Sequence, residues 1–142
     1  MAINPFPLPA ALSGGLGAVR DHWRSLIRGD NNMPFWDDLT PSNLGAEADR
    51  CMLLDVFDAP LRFRFSSVMG AEIEARYGDA VRDKFSDEVD AKTPFEFLNA
   101  QGAATIEARA PTFYAGAGYA RLLLPMWGEG RIGMVLVAFA WT

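Results

Sequence analysis

Few residues in this sequence could do chemistry, and their spacing argues against most of what they could do. The one histidine, His22, stands three residues before Ser25 on what reads as the same helix. No strand–turn–helix elbow of the Gly-x-Ser-x-Gly kind presents that serine as a nucleophile. Cys51 is the sole thiol, so no internal disulfide can form, and it reads as a buried structural cysteine. A zinc-type site lacks its Cys/His set. Gly14, Gly15 and Gly17 mark a helix start, but no strand precedes them and no lysine follows in the frame of a phosphate loop. Asp30, Asn31, Asn32, Asp37 and Asp38 offer oxygen ligands without the alternation and terminal glutamate of a calcium loop. They read as turn and cap residues. Asp87, Glu88 and Asp90 read as a solvated acidic face.

The chain-level properties suit a single globular domain. A length of 142 residues suits one domain, and 50% hydrophobic with 22% charged residues is a globular balance. A net charge of -5 with scattered basic residues argues against nucleic acid and against an anionic membrane surface. The opening "MAINPFPLPAAL" has no basic region and carries three prolines, a poor signal peptide, so a cytoplasmic protein is expected. The closing "YARLLLPMWGEGRIGMVLVAFAWT" is apolar, but its runs are far shorter than the roughly 20 residues of a spanning helix. The "GEG" turn signal between them predicts a β-hairpin with strands at about 119–127 and 131–141.

The elements that would position any site follow from periodicity. Residues 1–11 form a proline-rich extended leader. Residues 12–29 form an amphipathic helix, with Ser13 near its start and Gly29 as its stop. Its apolar residues Leu12, Leu16, Val19, Trp23 and Leu26 are spaced 4, 3, 4 and 3 apart, a short heptad seam. That seam would pack on its own domain or across a homodimer. Residues 30–142 form the core. A polar connector comes first, pinned by Pro34, Phe35 and Trp36. A hairpin follows over 51–57 and 61–68, with Leu61, Phe63 and Phe65 on one, buried face and Arg62, Arg64 and Ser66 on the other, partly wet one. A short helix around Ile73 and Tyr77 precedes a charged stretch. A longer helix is expected from Pro94 to about Ala108, capped by Thr93, with Phe95, Leu98, Gly102, Thr105 and Ile106 inward. "PTFYAGAG" starts a fifth strand. The order predicts an α+β domain with one sheet. Strand 131–141 is apolar at both parities, Ile132, Met134 and Leu136 against Val135, Val137 and Phe139, so it must be covered on both faces.

This layout resembles a PAS domain: strands A and B, short helices, a longer helix F, then strands G, H and I. "HWRSLIRGDNNMPFWDDLTP", "CMLLDVFDAPLRFRFSSVMGAEIEARYG" and "YARLLLPMWGEGRIGMVLVAF" resemble more particularly the small alphaproteobacterial PAS proteins of the PAS_5 kind. The resemblance covers about residues 12–141. It implies a five-stranded antiparallel sheet in the order 2-1-5-4-3, with helices on one face and the N-terminal helix outside the sheet. It also implies a sensory or protein-interaction module rather than an enzyme, a small ligand between sheet and helix F, and dimerisation through the N-terminal helix. The family's usual cofactors do not fit. Haem would need a histidine near helix F, where His22 is not, and a photoreactive flavin would need a cysteine context that Cys51 lacks.

What is left is an apolar pocket for an unidentified small ligand, with Phe65, Met69, Ile73, Phe97, Ile106, Tyr114 and Leu123 as its expected lining. Each fits plain core better than it fits a ligand contact. Arg109 and Arg121 read as surface ion-pair partners, with an anion at the pocket mouth as the alternative. The functional expectation is a stand-alone PAS regulator in signal transduction, with output through another protein. The alternative is a small α+β enzyme of the cone-shaped isomerase/dehydratase type. Such an enzyme needs a pocket acid or histidine, and Asp55 is the only acid within the clear strands.

Overall fold

The computed structural model describes residues 4–12, 14–89 and 92–142. A five-stranded antiparallel sheet is its centre: β1 (Cys51–Phe57), β2 (Arg62–Met69), β3 (Thr112–Gly116), β4 (Tyr119–Gly128) and β5 (Arg131–Trp141), in the order β2-β1-β5-β4-β3. This is the expected sheet. The turn between β4 and β5 is Glu129–Gly130, both with positive φ, at 55° and 77°. That conformation suits the right-handed twist of a two-residue hairpin, and glycine enters it at little cost.

β5 lies between β1 and β4, and its two parities feed two separate cores. Val135, Val137 and Phe139 join Met52, Leu54, Phe63, Phe65, Ile73 and Leu123 on the inner face. Leu136, Ala138 and Ile132 join Leu53, Leu122, Leu124 and Met126 on the outer face. Each fully buried Leu or Val contributes about 1.5–3 kcal/mol over an exposed one, so neither face could be left wet. The inner core is roofed by a helical stretch of three contiguous pieces, α2 (Ala71–Ile73), a π-type turn (Glu74–Gly78) and α3 (Asp79–Val81), and by α4 (Leu98–Ala108).

α1 (Gly14–Ser25) covers the outer core. Leu16, Val19 and Trp23 are buried against the chain's own sheet, with Leu12 and Leu26 partly buried beside them. The Trp23 indole N–H donates to the Pro125 carbonyl at 2.9 Å. The seam is therefore occupied in cis. The helix ends four residues before Gly29, because Leu26 and Ile27 turn back to the Trp23 and Arg24 carbonyls. Ser13 lies outside the described residues, as do Asp90 and residues 1–3 of the leader. The rest of the leader follows the sheet edge, where Phe6 accepts the Phe113 N–H.

Two local expectations are corrected. The long helix begins at Leu98, and Thr93 does not cap it. In a helix from Pro94, the Pro94 carbonyl would accept the Leu98 N–H; it accepts from Arg121 instead, and Leu98 bonds to Phe95. Phe97, just before the helix, has φ of 60°. The connector is also less irregular than its composition suggests, since Pro41–Arg50 forms two short 3-10 turns either side of Gly45. Its pinning is as expected: Trp36 N–H donates to the Trp127 carbonyl and Trp127 N–H to that of Pro34, both at 2.8 Å. Among the described residues no helix is long and apolar enough to cross a membrane.

Because α1 packs in cis, Val19→Glu buries a charge in the outer core. It is expected to cost about 3–5 kcal/mol in urea denaturation, a large part of a typical domain's stability. A folded Val19→Glu protein of unchanged stability would show that the seam is not packed on this sheet.

Candidate functional site

The seven residues expected to line a pocket come together, but mostly as packing. Phe65, Ile73 and Leu123 are fully buried in the inner core, with Met69, Ile106 and Tyr114 partly buried against it. Phe97 is 62% exposed, and its ring lies 5.7 Å from that of Tyr114. Phe95 fills the middle of the space, with ring centroids 5.3 Å from Phe65, 5.5 Å from Tyr77 and 6.2 Å from Phe139. All three contacts have the edge-to-face geometry that aromatic pairs prefer.

Beside this cluster lies a polar network, and Arg121 is its centre. The expectation of a surface ion pair there is wrong: Arg121 is wholly buried. Its Nε donates to Gln101 Oε1 at 2.7 Å, and Nη1 and Nη2 donate to the carbonyls of Pro94 and Glu96 at 2.8 Å. These partners are neutral oxygens. Gln101 in turn donates to Thr112 Oγ1, whose hydroxyl lies 2.6 Å from that of Thr105. The guanidinium lies over the Tyr114 ring, 5.0 Å from its centroid. Burial pushes the Arg121 pKa down to about 10, which leaves it a cation at neutral pH. Tyr119 donates to Glu96 Oε1 at 2.8 Å, and burial first, then this bond, raises the Tyr119 pKa. A buried cation needs its donors satisfied, and here the backbone of segment 94–97 satisfies it. The network thus locks that segment to β4. A signal for it was in the sequence: Arg121 shares strand parity with Tyr119 and inward-facing Leu123.

Open space on the helix side lies over Phe95 and Val89. One cavity of about 290 Å³ is lined by Ser86, Val89, Phe95, Phe97, Leu98 and Asn99, among others. A second, of about 470 Å³, shares Val89 and Phe95 and is bounded by Tyr77 and Val81. The floor is apolar and the rim carries Lys84, Glu88 and Lys92. Tyr77 reaches this cleft from the π-type turn, a form of helix often found at functional sites. Of the seven expected residues, Phe97 lines this cleft.

The remaining candidates lie apart. Cys51 is buried, its Sγ 3.3 Å from the Glu47 carbonyl oxygen, and burial pushes its pKa up to about 12. His22 is on α1, on the far side of the sheet from the cleft. Asp55 pairs with Arg64 at 3.1 Å on the outer face, so the acid and the histidine that an enzyme would need do not meet in the inner core. The expected surface ion pair of Arg109 is not found among the described residues; its guanidinium lies over the Trp127 ring, 5.0 Å from its centroid. Asp87 is exposed but chelated by Arg62 through two bonds of 2.8 Å. No His/Cys/Asp/Glu group among the described residues could hold a metal. Comparison with protein-family models, curated proteins and solved structures finds no match for this chain.

Arg121→Met keeps the volume but orphans two carbonyls and the Gln101 amide oxygen. It is expected to cost about 3 kcal/mol or more in chemical denaturation. A near-neutral effect would mean that the lock carries no load. Cys51, with a raised pKa and no access, is expected to resist thiol reagents at mild alkaline pH until the protein unfolds; rapid labelling of the native protein would contradict its placement.

Proposed function

We propose that this chain is a regulatory module of the PAS kind that responds to a small, largely apolar ligand. The observation that carries this reading is the cleft over Phe95 and Val89, apolar at its floor and charged at its rim. That is the general form of a small-molecule site. The sheet order and the two-sided covering of β5 agree with the resemblance in the sequence, which implies a sensory module.

The geometry also supplies a route for a signal. Phe95, which forms the cleft wall, sits between Pro94 and Glu96, whose carbonyls hold Arg121. A ligand that moves Phe95 strains the lock between segment 94–97 and β4. The helix side would shift against the sheet, and a partner protein would read that shift. A ligand can drive such a change only by its differential affinity for the two states.

The test is native mass spectrometry and thermal unfolding of the purified protein with a set of small aliphatic and aromatic compounds. The expected result is a bound species that raises the unfolding midpoint. Val89→Trp, which fills the shared wall, should abolish binding while the circular dichroism stays native. Binding unaffected by Val89→Trp, or no binding by any compound, would refute the reading. Turnover of any such compound would favour the enzyme instead.

A further inference from the structure

Charge is unevenly placed around the cleft over Phe95 and Val89. Of the chain's 13 basic residues only Lys84 and Lys92 are lysines, and both line the larger lobe of this cleft. Nearby arginines are committed within the chain: Arg62 is chelated by Asp87, and Arg82 pairs with Glu74. Glu88, the acid on the same lining, is committed too. Its Oε1 accepts the Phe85 N–H at 3.1 Å and lies 3.7 Å from Arg62. Lys84 takes part in the fold through its backbone, whose N–H donates to the Val81 carbonyl and whose carbonyl accepts the Phe65 N–H. No ion pair among the described residues involves its side chain. A lysine ammonium is a compact point charge on a flexible stem, suited to an anionic group at a wet rim.

Away from this rim the cleft is apolar. Its two lobes meet at Val89 and Phe95, and the smaller one continues past Phe97 and Leu98. The polar side chains of that lobe, Ser86 and Asn99, are hydrogen-bonded to each other. At about 290 Å³ the smaller lobe alone sits at the lower limit of small-molecule sites, roughly 300–1,000 Å³. The joined lobes offer a longer space with lysines at one end.

On the basis of the ligand site proposed above, we propose that its ligand is an anionic amphiphile. A carboxylate head meets Lys84, and an unbranched aliphatic tail runs over Phe95 and Val89 to Phe97 and Leu98. The tail takes apolar surface out of water, above all that of Phe97, which is 62% exposed. The head stays hydrated at the rim while it meets the ammonium. A neutral apolar molecule would leave the lysine unused, and a cation would be repelled by it.

Isothermal titration calorimetry of the purified chain with octanoate, octan-1-ol and octylammonium tests this. Octanoate is expected to bind about fivefold more tightly than octanol, and octylammonium most weakly. That preference should fade at high salt and vanish in Lys84→Gln. Octanol should bind Lys84→Gln as it binds the wild type, which checks that the variant is folded with its cleft intact. From hexanoate through octanoate to decanoate, affinity should rise about threefold or more per methylene. Equal binding of acid and alcohol, or a preference that survives Lys84→Gln, overturns the anionic head and leaves an apolar ligand in the cleft standing. A flat response to chain length overturns the tail. If none of these amphiphiles binds, the inference falls, while the ligand reading is decided by the wider compound set and Val89→Trp.

Discussion

Strand β5 is apolar on both sides and hydrogen-bonded on both edges, and this constraint organises the rest of the fold. Val135, Val137 and Phe139 demand a cover on one face, while Leu136 and Ala138 demand one on the other. No single layer of helices can satisfy both. The chain therefore places α1 on one side and the elements from α2 to α4 on the other. The sheet order follows from the same need, because only a central position removes both edges of such a strand from water.

The two sides of the sheet differ in character. Under α1 the outer side is closed by apolar contact, with a specific bond from Trp23 to Pro125. The inner side is more polar at one end, where Arg121 substitutes for part of the helical hydrogen bonding of segment 94–97. That exchange shortens α4 at its N-terminus and leaves a loop beside the cleft. The cleft, the tether and the strand are contiguous, and the proposed function would use that path.

Legibility in the sequence varied with the range of the interaction. The β4–β5 turn, the strand parities and the apolar seam of α1 are local patterns, readable residue by residue; that the seam packs in cis is not. Phe63 and Phe65 alternate with Arg62 and Arg64 so cleanly that the alternation alone identifies the buried face of β2. The start of α4 is not legible, because Thr93 and Pro94 carry good local start signals that a distant guanidinium overrides. The residue type of Arg121 suggests the surface, whereas its parity with Leu123 points inward, where it lies. Of the seven expected pocket residues, six pack on the inner face and Phe97 is exposed. Their mutual packing around Phe95 depends on ring orientations that no spacing encodes.

The sequence by itself determined the strands, their faces and the demand for two covers, because these follow from the alternation of polar and apolar residues along the chain. Only the tertiary structure decided where Arg121 finds its hydrogen bonds and where the open cleft remains. Those features join residues distant in the chain, Arg121 with Pro94 and Tyr77 with Phe95. Such contacts exist only once the sheet has brought their segments within bonding distance.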